Sequence, residues 1–291
     1  MSSLAPFTKV ALRVARQAGA LLQAASREEI EVSCKGVRNL VTNVDRASEA
    51  LIVRTLLRHF PTHRILAEEG HAVEAHAGAS PRSRYRWLID PLDGTTNYAH
   101  RFPFYCVSIA LEVEDVVRLG VVYDPIRREC FSAEAGAGAQ LNGRPIAVSS
   151  TPRLQNSLLV TGFSADIQTN PDNNFDRFRQ LSLTARAVRR TGSAALDLCY
   201  VAAGRSDGFW EMNLHPWDTA AGSLIVTEAG GRVSRFSGRH YKIDAPDILA
   251  TNSRIHPAMV RALGKNGGKS APLARQHPIP PGSQTQGPFY G

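Results

Sequence analysis

No run of about eighteen or more apolar residues occurs in this chain, which excludes a membrane-spanning helix. The N-terminus lacks the basic, apolar and cleavage segments of a secretory leader, which fits a cytoplasmic protein. The four cysteines (Cys34, Cys106, Cys130, Cys199) have no C-x-x-C spacing, so neither a zinc site nor a disulfide framework is expected, and they read as reduced packing residues. No Walker-type loop is present. Gly136-Ala137-Gly138 fails as a dinucleotide fingerprint because position 141 is Leu, and the following Asn142-Gly143 predicts a hairpin instead. No Ser–His or Cys–His pairing suggests a protein nucleophile; His100 and His215 read as packing or surface residues. Acidic residues are missing after Asp247, where five bases follow, so the first 247 residues hold only three of the eight net positive charges. From Gly264 onward Gly, Pro, Ser and Gln dominate, a composition that predicts a disordered basic tail. Such a tail can attract nucleic acid or an acidic partner.

With 291 residues the chain can bury a sizeable core in one or two domains. Phe7, Val10, Ala11, Val14, Ala18, Leu21 and Leu22 recur at helical spacing. A second helix is expected from near Asp45 to before Pro61. Strand patterns at 107–113, 118–123 and 130–133 predict a mostly antiparallel sheet. After a soft boundary near residue 149, strands at 157–161, 185–189, 208–211 and 248–251 alternate with helices at 174–183, 194–203 and 219–228. The organisation expected is thus 1–148, 149–263 and a tail from 264.

Two stretches suggest a cation and a phosphate. In Trp87-Leu88-Ile89-Asp90-Pro91-Leu92-Asp93-Gly94-Thr95-Thr96-Asn97 an apolar strand runs into Asp-Pro-Leu-Asp. Proline presets φ for a type I or II turn, so Asp90 and Asp93 are expected at its two ends, within about 7 Å at Cα. Two carboxylates so placed can share a hard cation such as Mg²⁺, with the Leu92 carbonyl as a third oxygen. Gly94 lets the backbone approach a ligand, and Thr95-Thr96 read as a helix opening whose N–H groups attract an anion. The second stretch is His215-Pro216-Trp217-Asp218-Thr219-Ala220-Ala221-Gly222, and a third acidic pair is Glu68-Glu69. Each also reads as ordinary chemistry: a turn, a helix N-cap at Asp218, a solvated strand end.

Taken together, and with Asn39–Asp45, Arg101–Phe104, Arg190–Ala195 and Phe209-Trp210-Glu211 in order, the motifs resemble the inositol monophosphatase family over about residues 6–263. The resemblance implies a layered α-β-α-β-α sandwich and a Li⁺-sensitive phosphate monoester hydrolase using two or three Mg²⁺ ions. It implies that Glu68, Asp90 and the Leu92 carbonyl hold one ion and that Asp90, Asp93 and Asp218 hold the other. Glu68 and Thr95 would orient the attacking water, with Asp45 supporting Thr95. Gly94, Thr95 and Thr96 would meet the phosphate; Gly192, Ser193, Ala194, Glu211 and Asp218 would meet the alcohol portion. Phe209-Trp210-Glu211 is most similar to the inositol phosphatases, and a carboxylate at Glu211 suits a polyol and argues against bisphosphates. This favours inositol 1-phosphate, with histidinol, sugar or nucleotide phosphates as the alternative. The resemblance also implies a homodimer without membrane attachment. A different reading, from relatives with that role, is a factor that binds RNA or the transcription machinery. Asn39 and Ala67 depart from the family pattern at positions that are not expected ligands.

Overall fold

A computed structural model describes residues 3–28, 32–34, 40–70, 83–164, 167–170 and 173–264. Asn39 and the tail from Lys265 lie outside the described residues. In chain order the elements are α1 (Ala5–Ala25), β1 (Val32–Cys34), β2 (Leu40–Thr42), α2 (Asn43–His59), β3 (Arg64–Ala67), β4 (Tyr85–Asp93), α3 (Thr95–Ala99), β5 (Cys106–Val113), β6 (Val116–Asp124), β7 (Glu129–Glu134), β8 (Ala139–Leu141) and β9 (Arg144–Pro145). They continue with β10 (Leu158–Thr161), α4 (Phe175–Thr184), β11 (Ala187–Arg189), α5 (Ala194–Ala202), β12 (Gly208–Met212), α6 (Pro216–Glu228), β13 (Arg232–Ser234), β14 (Asp247–Thr251) and α7 (His256–Gly264).

The strands β3-β4-β5-β6-β7-β8-β9 form one seven-stranded sheet, antiparallel except between β3 and β4. A five-stranded mixed sheet has the order β11-β10-β12-β14-β13. Burial on both faces explains why the central strands read as unbroken apolar runs rather than as alternation. Along β4, Trp87 and Ile89 pack with α1 and α2, whereas Leu88 packs with α5 and α6. In the second sheet Phe209 faces α5 and α6, while Trp210 joins Leu181 of α4 and Met259 of α7. The layers are therefore α1/α2, sheet, α5/α6, sheet, α4/α7, the sandwich expected from the resemblance.

The middle layer is set by small residues. A methyl group on Gly120 of β6 would sit 2.7 Å from the Ala221 carbonyl of α6, and one on Gly222 would sit 2.6 Å from Leu198 of α5. The Ala-Ala-Gly run thus lets α6 lie against both the sheet and α5. Glycine at 230, with φ of 84°, ends α6 as expected. The Asn142-Gly143 hairpin forms with positive φ at both residues. Next to it, the Gly136 and Gly138 N–H groups each donate at 2.8 Å to the Glu228 carboxylate at the end of α6. This glycine turn does bind an anion, but the anion is a side chain of the same protein.

Three expectations need correction. Asp90 and Asp93 are not the ends of a turn, because β4 continues through Asp93. Asp90 pairs with Ser108 and Asp93 with Cys106, so three steps on β4 oppose two on β5, a β-bulge. Pro91 is tolerated in an interior strand because it lies in that bulge. Asp218 is not an N-cap: α6 starts at Pro216, not Thr219, with His215 as cap and Asp218 in the first turn. The strand expected from 185 begins at Ala187. β13 and α7 were not foreseen.

Candidate active site

The bulge re-aims Asp93. In a regular strand residues three apart point to opposite faces. The extra residue turns Asp93 to the same face as Asp90, toward the middle layer, while Leu92 stays in the α1/α2 core. From the other sheet, Glu211 follows the alternation set by Phe209 and faces the same layer. α6 contributes Asp218, whose Oδ2 accepts the His215 N–H at 2.7 Å. Both strand ends and the first turns of α5 and α6 therefore meet at one place.

The electrostatics show how close these groups are. Asp90, only 2 % exposed, is pushed well above the usual carboxylate range by burial, then by Glu68, Asp93 and Asp218. Asp218 is raised well above its ordinary value by burial and by Asp93 and Glu68. Asp93 is raised by burial, against hydrogen bonds from Ser193 Oγ at 2.6 Å and the Ala195 N–H at 2.7 Å. Glu211 is raised well above normal by burial and by Asp197, Asp218 and Asp93, with Arg190 partly opposing. Among the described residues, no three His, Cys, Asp or Glu side chains are closed into a metal-holding cluster. The fit to a hard divalent cation lies in the donor set: carboxylate oxygens, crowded until they suppress one another's charge.

The inner face of α2 supports the site. Its buried stripe is apolar toward the C-terminus (Ile52, Val53, Leu56) and polar at the start (Asp45, Ser48, Glu49). Asp45 accepts from the Thr42 N–H and hydroxyl as a capping box, and its Oδ1 accepts from Thr95 Oγ1 at 3.1 Å. Burial raises its pKa against these donors. Ser48 Oγ donates to the Pro91 carbonyl at 2.9 Å, holding the bulge. Glu49 Oε2 accepts the Glu69 N–H at 2.8 Å, holding the segment that carries Glu68. Thr95 Oγ1 also lies 3.1 Å from the Leu92 carbonyl.

Gly94 has φ of 97° and caps α3, whose first turn contains the half-buried Thr95 and the exposed Thr96. Gly192, with φ of 90°, is exposed, whereas Ser193 and Ala194 are buried at the start of α5. The Ser193 hydroxyl both donates to Asp93 and accepts the Leu196 N–H. His100 and His215 are exposed. Sequence reasoning assigned no role to three residues that shape the site. Asn97 Nδ2 donates to the Phe104 and Thr191 carbonyls at 2.7 and 2.8 Å, joining the first motif to the Thr191–Ser193 turn. Asp197 accepts the Thr191 hydroxyl at 2.5 Å on the other side of that turn. Gly162 makes room for Glu211, since a methyl group there would fall 2.2 Å from Oε1. The polar start of the α2 stripe was the one legible signal for Ser48 and Glu49.

The class of protein that carries this layered sandwich with its cluster of buried carboxylates is given by comparison with known proteins. The model of the Inositol monophosphatase family matches residues 3–267. An inositol-1-monophosphatase of Synechocystis sp. is 44% identical over 263 residues, covering 90% of each chain. A protein of Pseudomonas aeruginosa named Nus factor SuhB is 45% identical over 262 residues, covering 89% of this chain and 96% of its own. The solved inositol monophosphatase of Anabaena (Nostoc) sp. PCC 7120 superposes with a TM-score of 0.80 at 46% identity, over 90% of this chain and 96% of that one. This chain belongs to the inositol monophosphatase family, and it is a phosphoric monoester hydrolase.

Proposed function

We propose that the protein hydrolyses inositol 1-phosphate to inositol and phosphate with Mg²⁺ and water, with Li⁺ as inhibitor, as a cytoplasmic homodimer. The observation that supports this reading best is the convergence of Asp90 and Asp93 from one sheet, Asp218 from α6 and Glu211 from the other sheet. Glu68, Asp90 and the Leu92 carbonyl would hold one ion; Asp90, Asp93 and Asp218 would hold the second. Bound Mg²⁺ would supply the positive charge that neutralises phosphate oxygens and acidifies a water.

The chain's own groups do the rest. A hydroxyl has one proton, and that of Thr95 is directed at Asp45 or the Leu92 carbonyl. Its lone pairs are left to accept a hydrogen bond from the attacking water, which Glu68 would orient from the other side. The N–H groups at Gly94, Thr95 and Thr96 face the phosphate. Glu211 accepts hydrogen bonds from ring hydroxyls beside the Gly192–Ala194 turn, at a position that Gly162 keeps open.

The test is phosphate release from inositol, histidinol, sugar and nucleotide phosphates with Mg²⁺. Inositol 1-phosphate should give the highest kcat/KM. In Glu211→Gln that value should fall about tenfold or more, from the loss of about 1.5–3 kcal/mol of charged hydrogen bonding, while p-nitrophenyl phosphate should be nearly unaffected. Equal losses on both substrates would remove Glu211 from substrate recognition. A second reading, a binding role toward RNA or the transcription machinery, is supported by the likeness to a protein named Nus factor SuhB.

A further inference from the structure

The outermost helical layer carries charge of one sign. Every exposed charged side chain within α1 and α2 is basic: Lys9, Arg13, Arg16, Arg46, Arg54 and Arg58. The two acids in these helices, Asp45 and Glu49, are turned inward and fully buried. At 100° per residue, Lys9, Arg13 and Arg16 fall within an arc of about 60° on α1, and Arg54 and Arg58 lie one turn apart on α2. The helices run antiparallel: Phe7 stacks near Phe60 with ring centroids 5.0 Å apart, and Arg13 Nη2 lies 2.9 Å from His59 Nε2. This brings the α1 stripe beside the C-terminal bases of α2. Arg128 of the β6–β7 turn extends the surface, since it and Arg16 both act on Tyr123. Among the described residues, no carboxylate forms an ion pair with any of the six bases. The nearest exposed acid along the chain is Glu28, just beyond α1.

We propose that the α1/α2 face is a binding surface for a nucleic-acid sugar-phosphate backbone, separate from the carboxylate cluster and independent of the phosphatase reading; it rests on the second reading above, toward RNA, and gives that reading a surface. Three observations favour this partner. Five of the six bases are arginines, whose forked guanidinium pairs with phosphate oxygens. They are repeated at one-turn intervals along two adjacent helices, which offers a row of charges to a row of phosphates. The surface also lacks what a membrane would need: among the described residues the exposed large apolar side chains are Phe102, Val116, Ile126, Phe175 and Leu183, none of them on α1 or α2. The apolar faces of both helices are used up in the core beneath. With no base-reading geometry on the page, recognition is of backbone charge and strongly salt-dependent.

The test uses the full chain and a fluorescent single-stranded RNA of about 20 nucleotides, with anisotropy followed from about 50 to about 200 mM salt. Wild type should bind at the low-salt end and weaken log-linearly, by about 0.7 in slope per phosphate neutralised. Combining Arg13→Gln, Arg16→Gln, Arg54→Gln and Arg58→Gln should weaken low-salt binding at least about tenfold and flatten the slope by about 3. Phosphatase kcat/KM and melting temperature should stay at wild-type values, which shows that the variant is folded. Deleting Lys265–Gly291 should leave most of the binding in place. Absence of RNA binding at about 50 mM salt, or equal binding by wild type and the fourfold variant, would overturn the proposal. So would loss of binding on deleting the tail alone, or tighter binding to polyglutamate or anionic vesicles than to RNA.

Discussion

Asp-Pro followed by a branched aliphatic residue occurs twice, at Asp90-Pro91-Leu92 and at Asp124-Pro125-Ile126, each near the end of a strand of the seven-stranded sheet. Both aspartates are buried, and both accept the N–H two residues on, at 3.0 Å from Leu92 and 2.8 Å from Ile126. The two differ at the next residue. Arg127 donates its N–H at 3.0 Å and its guanidinium at 3.0 Å to Asp124, so that carboxylate is neutralised by its own loop. Asp93 occupies the equivalent place after Asp90 and adds a second negative charge. One Asp-Pro segment is finished as architecture, and the other pairs two carboxylates with no base in its own loop.

Breaking the unfinished segment should have the largest effect. Asp93→Asn should lower kcat about 10³-fold at saturating Mg²⁺, since it removes charge where the reaction needs it and keeps side-chain shape. Without Mg²⁺ its melting temperature should equal or exceed that of wild type, because a repelling charge has gone. Wild-type turnover would remove Asp93 from the ion site.

Acid offers a second separation, because two buried histidines lie away from both segments. His63, stacked on Tyr85 and accepting from Trp87 Nε1, and His256, between Ser234 and Thr251, are both lowered to about 4 by burial. A depressed folded-state pKa means that the unfolded chain takes up the proton first. Stability should thus be full above pH 6.5 and fall as the pH drops toward about 4, by about 1–3 kcal/mol per histidine. The raised carboxylates of the site act in the opposite sense, so the test is the difference in melting temperature between wild type and His256→Gln across that window; a difference independent of pH would contradict it.

Asp124→Ala should act in the opposite sense to Asp93→Asn. Loss of three donors' acceptor should cost about 2–3 kcal/mol, read as a lower melting temperature with kcat unchanged. The smallest effect is expected for Ser48→Ala, about 0.5–1.5 kcal/mol from the lost bond to the Pro91 carbonyl. A loss in kcat larger than the loss in stability would show that Ser48 also sets the position of Asp90.

The near-identity of the two segments explains what was legible. Asp90, Asp93 and Asp218 could be picked out because carboxylates interrupt apolar runs, and Thr95 because it opens a helix directly after Gly94. Local chemistry could not distinguish a turn at Asp90–Asp93 from a bulge, however, since the same Asp-to-N–H bond forms in both. What decides is pairing with Ser108 and Cys106, contacts that arise from another strand. Asn97 and Asp197 were missed for a similar reason: each secures the Thr191–Ser193 turn from a different element. The long helices were legible from their periodicity, with α6 extending one turn earlier because Pro216 is well suited to a first helical position. β13, of three residues, carries too little pattern to read.

The glycine contact between β6 and α6 acts as a ruler. Asp90 is mounted on the sheet and Asp218 on the helix, and at Gly120 the two supports touch with no space for one methyl group. The thickness of that seam sets how far a strand-borne oxygen stands from a helix-borne one. Alanine at 120 would lift the helix and widen the gap between the two carboxylates. The spacing of the two carboxylates is thereby set partly by a residue that has no side chain.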